Sequence, residues 1–393
     1  MKSEVVVAGV GMTRFVKPSL SPRYTELGAD AVRMALADCG LDYSRVQQAY
    51  VGYVYGDSTC GQRALYGVGM TGIPVVNVNN NCSTGSTALW LARNAIMSGQ
   101  AECVLALGFE QMQPGALTEH WQDRPGPLDE FVRAATERAL DPDAPMAPKM
   151  FGGAGIEHQL KYGTKAETFA MIRAKASRHA VHNERAIFRT EVTVDEVMAS
   201  PKVTSLLTRL QCCPPTCGAA AAILCSPEFA RRNGLDARVT IVAQAMTTDF
   251  PSTFADNDLM KVVGFDMTAA AAASVYAEAG IGPGDVDVAE LHDCFTSNEL
   301  ITYEGLGFCG AGGAEKFIVD GDNTYGGRVV TNPSGGLLSK GHPLGATGLA
   351  QCFELTGQLR GQMGPRQVEG ARIGLQHNLG LGGACVVTLY RAG

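Results

Sequence analysis

The pattern of hydrophobic and polar positions predicts alternating strands and helices in the first part of the chain. Short continuous apolar runs indicate buried strands, and apolar residues at helical spacing indicate amphipathic helices. Such alternation is typical of an α/β protein with a parallel sheet and right-handed crossovers. The predicted strands are Glu4–Met12, Gln48–Tyr55, Val75–Asn79 and Cys103–Gly108, and the predicted helices are Thr25–Gly40 and Ser86–Ser98.

The second part of the chain repeats this order. Its predicted strands are Val239–Ala245, Val286–Leu291, Val329–Val330, Ile373–His377 and Cys385–Tyr390, and its predicted helices are Thr268–Gly280, Glu299–Gly307 and Leu344–Leu359. In both parts, reactive residues follow directly after a strand, at the edge where open α/β sheets bind ligands. We therefore predict two α/β halves that face each other across one site.

The stretch Met112–Pro215 differs from both halves because it is richer in charge and proline and has weaker strand signals. We predict a first half from residues 1–112 and 216–235, an inserted loop domain or lid from 113–215, and a second half from 236–393. A basic helix in the insertion could hold phosphates, although a solvated helix face is the simpler interpretation. Its residues are Arg173, Lys175, Arg178 and His179.

Composition and charge narrow the class of protein. The 393 residues include 32 Lys and Arg against 39 Asp and Glu, a net charge of −7, which argues against nucleic acid or an anionic membrane as the main partner. No apolar run is long enough to cross a membrane. Twelve cysteines without a recognisable signal peptide predict reduced thiols and a cytoplasmic protein.

Cys82 is the strongest candidate nucleophile. It lies where a predicted strand ends and a helix begins, and the small residues Ser83, Thr84 and Gly85 allow a tight turn. A helix N-terminus is expected to lower the pKa of a thiol from about 8.5 and to favour the thiolate, which can form an acyl intermediate. The alternative is a buried cysteine that only packs.

Two further segments carry acid–base chemistry. His342 follows Gly341 and precedes Pro343, which suits a first helical position, so that a histidine held there can be a base or an oxyanion donor. His292 and Cys294 follow a predicted strand, and a second thiol with a pKa of about 8 would suit proton transfer. Zinc is the rival interpretation, but the usual Cys-x2-Cys spacing is absent.

Exposed glycine amides after the strand Ile373–His377 can form an oxyanion hole. At this point the motifs are specific enough to identify a family, because the chain resembles the thiolase superfamily, in its sterol carrier protein X branch, from about Val5 to Arg391. The segments that carry the resemblance are Gly56–Gln62, Asn79–Ser86, the HDCF motif His292–Phe295, Gly321–Gly327, Asn332–Gly348 and Gln376–Gly383.

The resemblance implies a five-layered α-β-α-β-α thiolase fold of two pseudo-repeated βαβαβαββ halves with an inserted loop domain. It implies that Cys82 is the acylated nucleophile, and that His342 activates it and lines an oxyanion hole. His292 replaces an asparagine that positions a water. The usual Cys-x-Gly turn reads Asn378-Leu379-Gly380 here, so Cys294 takes the acid/base role and Gly380 keeps its oxyanion-hole amide.

The implied activity is that of a 3-oxoacyl-CoA thiolase in lipid metabolism and fatty acid β-oxidation, with CoA and acyl-CoA as substrates and without a permanently bound cofactor or metal. The acyl group could be 2-methyl-branched or derived from a sterol side chain. A homodimer or tetramer is implied, with Gly56–Ala64 near the interface. Two related enzymes are alternatives: a decarboxylating ketosynthase of the same fold with Cys82, His292 and His342, and a steroid side-chain aldol lyase. A third alternative, of a different class, is a non-catalytic acyl-CoA-binding protein.

Overall fold

The structure is a computed structural model that describes residues 4–114, 121–138 and 140–393. Within these ranges it contains ten strands and fifteen α-helices. The strands are β1 Val5–Met12, β2 Gln48–Gly52, β3 Val75–Val78, β4 Cys103–Glu110, β5 Gly218–Cys225, β6 Val239–Thr247, β7 Val288–Glu290, β8 Val330–Thr331, β9 Ile373–Gly380 and β10 Ala384–Ala392.

The helices are mostly short, and the longest lie in the insertion and next to the sheet. They are α1 Tyr24–Cys39, α2 Cys60–Leu65, α3 Thr84–Met97, α4 Asp129–Glu137, α5 Met146–Tyr162, α6 Ala166–Ala180, α7 Val194–Ala199, α8 Pro227–Asn233, α9 Ser252–Ala255, α10 Leu259–Val262, α11 Phe265–Ala279, α12 Thr296–Gly305, α13 Ala314–Val319, α14 Gly336–Ser339 and α15 Thr347–Leu359. No described helix combines the length and apolar character needed to cross a bilayer.

The strand order shows the internal repeat directly. The ten strands are ordered β3-β2-β4-β5-β1-β6-β10-β9-β7-β8, so the second five mirror the first five about the β1–β6 junction. Pairing is parallel between β2 and both β3 and β4, and between β7 and both β8 and β9. The predicted α/β architecture of two similar halves is confirmed.

The expectation of a parallel sheet is only partly correct. The central strands β5, β1, β6 and β10 pair antiparallel with their neighbours. A parallel pair needs a crossover, whereas β9 and β10 are joined by a three-residue turn, which only an antiparallel pair allows. Helix–strand alternation therefore describes the outer strands of each half and not the centre of the sheet.

Helices cover the sheet in layers. α3 and α15 pack against each other between the two halves, α1 lies against β1 and β5, and α11 lies against β6 and β10. The strands β1, β4 and β5 are buried along their whole length, as expected for strands covered on both faces. The arrangement brings the N-terminal ends of α3 and α15 together at the centre of the molecule.

The inserted segment packs onto the second half through α5, α6 and α12. The basic residues of α6 are not a phosphate site or a solvated face, because Arg173, Lys175 and His179 are buried. The Lys175 ammonium donates to Glu299 and Thr331, and His179 Nδ1 lies 3.0 Å from the Asn332 carbonyl oxygen. Only Arg178 is exposed. The domain boundaries predicted from the sequence stay a prediction.

Candidate active site

The loop between β3 and α3 holds Cys82. Asn81 has a left-handed φ of 50°, a conformation that asparagine tolerates better than most residues. The Ser83 hydroxyl donates to the Asn80 carbonyl at 2.9 Å, and the Thr84 hydroxyl donates to the Asn81 carbonyl at 2.6 Å. These side chains close the turn, so Cys82 is fixed two residues before α3 begins.

His342 lies in a second tight segment, between α14 and α15. Gly341 precedes it with a φ of 114°, where a Cβ atom would come within 2.8 Å of Thr216. The expectation that Pro343 opens a helix is wrong, because α15 begins at Thr347. The Pro343 carbonyl instead accepts the amides of Ala346 and Thr347, both at 2.9 Å, and this turn separates His342 from the helix.

The HDCF motif joins β7 to α12. Asp293 accepts the Leu337 amide at 2.7 Å and so fixes the start of α14, ahead of His342. The Cys294 carbonyl accepts the Cys213 amide at 2.9 Å, which ties the motif to the end of the insertion. The Asp293 side chain and the Cys294 carbonyl of this motif therefore bind neighbouring segments of the site.

The predicted residues meet at one place. Cys82 Sγ and one ring nitrogen each of His292 and His342 lie within 4.8 Å of one another, and the two imidazole rings meet edge to face with centroids 5.0 Å apart. A Cβ atom on Gly380 would come within 2.3 Å of the Asn80 carbonyl oxygen, so the backbone of Gly380 lies against the Cys82 loop. Cys294 is buried near this group, and its pKa is raised by burial and also by the thiols of Cys213 and Cys82.

Hydrogen bonds fix the tautomer of His342. The Thr347 hydroxyl donates to the Pro343 carbonyl at 3.0 Å, so it can only accept from His342 Nδ1, which lies 2.7 Å away. The proton of the neutral ring is therefore on Nδ1. Nε2 keeps its lone pair and has no hydrogen-bond partner although it is buried. This nitrogen can accept a proton.

His292 is held in the opposite tautomer by Asn378. The amide nitrogen of Asn378 donates to the Cys82 carbonyl at 3.1 Å, and the same nitrogen lies 3.0 Å from His292 Nδ1. A carbonyl oxygen can only accept, so this end of the side chain is the nitrogen and His292 Nδ1 must accept as well. The ring proton of neutral His292 is therefore on Nε2, where it can be donated.

The three converging residues have the composition of a transition-metal site, but the proton on His292 does not fit one. A metal-bound imidazole nitrogen must be unprotonated, and the other nitrogen normally donates to an oxygen. His292 Nδ1 instead accepts from Asn378. The described residues form no other His, Cys, Asp and Glu group close enough to hold a metal. The donor set thus fits proton transfer and hydrogen-bond donation better than metal coordination.

The pKa of Cys82 is opposite to the expectation from the helix N-terminus. Burial, with the nearby carboxyl of Glu110, raises the pKa of this thiol to about 12. Burial also lowers the pKa of His342 to about 3 and that of His292 well below its usual 6.5. Desolvation is the largest cause of all three shifts, because it penalises every charged form in the site. The resting site therefore contains a neutral thiol and two neutral imidazoles.

The expected pKa of about 8 for Cys294 is also wrong. Burial and the neighbouring thiols of Cys213 and Cys82 raise its pKa well above the usual value of 9.0. Cys294 is therefore a protonated thiol at neutral pH. Such a group suits the donation of a proton to a developing carbanion, which is more basic than a thiolate.

Sequence reasoning missed several groups that shape the site. Glu110 is buried at the end of β4 and accepts the amides of Val54, Tyr55 and Gly345 at 3.2, 3.0 and 3.0 Å. Burial raises its pKa to about 7. The sequence signal that could have identified Glu110 is a carboxylate at the end of an otherwise apolar strand, because a buried charge is costly unless it has partners. Asn378 was noticed only as the residue that stands in for a cysteine.

Comparison with protein families agrees with this site. The family described as "Thiolase, N-terminal domain" matches residues 5–228, and the family described as "Thiolase C-terminal domain-like" matches residues 251–389. The two matches together span most of the chain. The chain therefore belongs to the thiolase family and is an acyltransferase.

Individual relatives narrow the branch of the family. The chain is 56% identical over 393 residues to sterol carrier protein 2 of Oryctolagus cuniculus, covering 99% of this chain and 72% of that protein. It is 48% identical over 400 residues to non-specific lipid-transfer protein-like 2 of Caenorhabditis elegans, covering 100% and 97%. The match to the solved structure titled Ltp2-ChsH2(DUF35) aldolase covers 99% of this chain and 98% of that chain, with a TM-score of 0.83. At 23% identity, this similarity shows the fold alone.

Proposed function

We propose that this protein is a 3-oxoacyl-CoA thiolase, which cleaves a 3-oxoacyl-CoA with CoA through an acyl-enzyme on Cys82. The observation that carries the proposal is the meeting of a neutral thiol with two neutral histidines of opposite tautomer, within 4.8 Å. One histidine can accept the proton of the thiol, and the other can donate a hydrogen bond to a developing oxyanion. Both are needed to break a carbon–carbon bond next to a ketone.

In the first half-reaction, Cys82 Sγ bonds to the ketone carbon and its proton moves to His342 Nε2. The bond between C2 and C3 then breaks, and its electron pair forms the enolate of the departing acetyl-CoA or propionyl-CoA. Cys294 protonates that enolate at C2. The amides of Cys82 and Gly380 would stabilise the former ketone oxygen, and Nε2–H of His292 would stabilise the thioester oxygen.

In the second half-reaction, the thiol of free CoA attacks the acyl group on Cys82. Its proton passes to the Cys294 thiolate, and the Cys82 sulfur leaves and recovers its proton from His342. Every group returns to its resting state, so no resident cofactor is needed for the balance. The raised pKa of Cys294 supports this scheme, since a thiol that resists ionisation regains its proton readily.

The second thiol separates this reaction from the decarboxylating alternative. A decarboxylative condensation generates its carbanion by losing CO2 and needs no acid at Cys294, whereas thiolysis must protonate an enolate. The aldol-lyase alternative is weaker because such an enzyme does not need the nucleophile Cys82. A non-catalytic acyl-CoA-binding protein would have no use for two neutral histidines in fixed tautomers.

The test is CoA-dependent cleavage of acetoacetyl-CoA and of a longer 2-methyl-3-oxoacyl-CoA. Cys82→Ala should lower kcat by about 10⁴-fold or more, and Cys294→Ala by about 10²- to 10⁴-fold. Cys213→Ala is the matched control, because it removes a neighbouring, partly buried thiol while leaving the amide that binds the Cys294 carbonyl. Thiolysis lost in Cys213→Ala but kept in Cys294→Ala would transfer the acid role to Cys213.

The same preparations should be offered malonyl-CoA. We expect no CO2 release from the wild-type protein. Decarboxylation of malonyl-CoA without any thiolysis would replace the proposed function by the ketosynthase alternative. The ratio of rates on the two 3-oxoacyl substrates would begin to define the acyl preference.

We also propose a homodimer formed at the β3 edge of the sheet, in a cytoplasmic protein. β3 is one of the two edge strands and pairs on one side, with β2. Val76 on this strand is 46% exposed, and Met70 in the preceding loop is 82% exposed. Light scattering after gel filtration should give twice the chain mass. Val76→Lys, a charge placed on an edge strand, should shift the protein toward monomer, whereas a monomeric wild-type protein would overturn the proposal.

A further inference from the structure

A chain of buried side chains lies behind His292 and takes no part in the proposed reaction steps. It runs from β9 through α3 and back to β9, and it consists of Gln376, Ser86 and Asn378. The relative exposure of each is 0%. A polar cluster without water is costly unless every member is satisfied, so its order is informative.

The first link orients Gln376. Its side-chain nitrogen donates to the Gly348 carbonyl at 2.8 Å, and its side-chain oxygen accepts the hydroxyl of Tyr390. Since the carbonyl can only accept, the two ends of this amide are assigned. The same nitrogen then donates to the Ser86 hydroxyl oxygen at 2.6 Å.

The second link orients Asn378. Ser86 has accepted from Gln376, so its own hydroxyl proton is available and is donated to Asn378 Oδ1 at 2.8 Å. The other end of Asn378 is the nitrogen that reaches both the Cys82 carbonyl and His292 Nδ1. Two main-chain carbonyls, those of Gly348 and Cys82, thus set the direction of the whole chain.

There is no space for the chain to relax. A Cβ atom on Gly348 would come within 2.2 Å of Ser86 Oγ and 2.7 Å of Asn378 Oδ1. Reversing the Asn378 amide would place its nitrogen against the donating Ser86 hydroxyl and its oxygen against the Cys82 carbonyl oxygen. Both contacts would be repulsive, so one orientation is favoured.

We infer that Asn378 and Ser86 are positioning residues that hold His292 as the Nε2–H tautomer, so that it can act as a hydrogen-bond donor and not as a base or a metal ligand. The role rests on the proposed function only in what the donor is used for. The tautomer itself is a property of the resting protein. Without these hydrogen bonds, a buried neutral histidine would partition between two tautomers that differ little in energy.

The test is ¹⁵N NMR of the full chain labelled at histidine. The sequence contains seven histidines, so the His292 signals can be assigned by their loss in His292→Gln. In the wild-type protein we expect the unprotonated, pyridine-type shift at Nδ1 and the protonated, pyrrole-type shift at Nε2. A protonated Nδ1 in the wild-type protein would overturn the inference without the need for any other variant.

Asn378→Asp should reverse the state of Nδ1. A carboxylate cannot donate, so Nδ1 must become protonated in order to pair with it, and its shift should change to the pyrrole type. The kcat for thiolysis should fall by about 10²-fold, the cost of losing or misplacing one oxyanion donor, with a smaller change in KM. An Nδ1 that stays unprotonated in this variant would contradict the inference.

Asn183→Asp is the matched control. Asn183 is also buried and donates to a main-chain carbonyl, that of Ser334, at 2.8 Å. Within the described ranges, none of its hydrogen bonds involves a histidine. It should lose stability to a similar degree while leaving the His292 signals and kcat unchanged. A tautomer change in this variant as well would mean that any buried carboxylate disturbs the site, and the specific role of Asn378 would fall.

Ser86→Ala tests the outer link. Asn378 Oδ1 would lose its donor, and we expect mixed or broadened Nδ1 signals with a fall in kcat of about 5- to 10-fold. Unchanged signals and an unchanged kcat would show that Ser86 does not help to hold the His292 tautomer. Because NMR reports on the resting protein, an absence of thiolysis in every form would refute the proposed function and leave the tautomer assignment standing.

Discussion

The last residues of β4 and β9 occupy corresponding places in the two halves. Each contacts a loop that carries a catalytic residue, but the two contacts differ in kind. Glu110 ends β4 and accepts the amide of Gly345, in the segment that carries His342. Gly380 ends β9 and lies against Asn80, in the loop that carries Cys82. Each half therefore supports the catalytic loop of the other.

The difference between the two residues follows from what each loop requires. The His342 segment presents unpaired amides that need an acceptor, and a buried carboxylate supplies several acceptor sites. The Cys82 loop needs close approach of a main-chain amide, and only glycine leaves the space. The reactive centre thus depends on both halves, and a change at either strand end should affect a residue from the opposite half.

The largest effect is expected at the glycine end. Gly380→Ala would place a Cβ atom 2.3 Å from the Asn80 carbonyl oxygen, so the Cys82 loop must move. Displacing the nucleophile and one oxyanion donor together should lower kcat by about 10³-fold. The measurement is steady-state thiolysis of acetoacetyl-CoA.

Gly374→Ala is the matched control on the same strand. There the nearest atom to a new Cβ would be Leu355 at 3.4 Å, an ordinary contact, so kcat should stay within about 2-fold of wild type. Equal losses in both variants would show that β9 is generally intolerant of side chains, and the special position of Gly380 would be refuted.

The role of Glu110 should be visible in how the free energy of unfolding depends on pH. The pKa of Glu110 is raised by burial from 4.5 to about 7, so the folded protein binds this proton more tightly than the unfolded chain does. Its contribution to stability is therefore present below pH 4.5 and is lost as the pH rises through 7. The free energy of unfolding should lose about 3 kcal/mol from this group over that range.

Glu110→Gln cannot titrate and should lack this loss. The difference in unfolding free energy between variant and wild type, measured by urea denaturation from pH 5 to pH 8, should move in favour of the variant as the pH rises. A constant difference across that range would mean that Glu110 has an ordinary pKa or is already ionised throughout.

A smaller effect is expected from the hydrogen bond behind His342. Thr347→Val removes the acceptor of Nδ1–H with little change in volume, so the ring loses its fixed orientation and kcat should fall about 10-fold. Thr356→Val on the same helix is the control, because among the described residues its hydroxyl bonds only with Cys352, at 3.9 Å. Similar rates in the two variants would remove Thr347 from the catalytic arrangement.

The sequence was sufficient to predict the repeat and the residues at the strand ends. Cys82 follows β3, and His292 and Cys294 follow β7, whereas the short helix α14 separates His342 from β8. The topology brings the carboxyl ends of these parallel strands together. The family resemblance then suggested their roles. The predicted helices and strands agree with the structure to within a few residues at most ends, Pro343 being the clearest local error.

What could not be predicted depends on burial and on contacts between distant segments. The pKa values of Cys82 and Cys294 were expected to be ordinary or lowered, and they are raised because the site is desolvated. The hydrogen bonds that orient His292 include one between Ser86 and Asn378, which are 292 positions apart. Nothing in the local pattern around either residue indicates that partner.

The most direct test of the central claim is intact-mass and peptide analysis after incubation with acetyl-CoA in the absence of free CoA. The account predicts one acetyl group per chain, located on Cys82, removed by added CoA and absent in Cys82→Ala. Cys213→Ala should still be acetylated. An acetyl group on Cys294 or Cys213, or no covalent adduct in a protein that still cleaves acetoacetyl-CoA, would contradict the account.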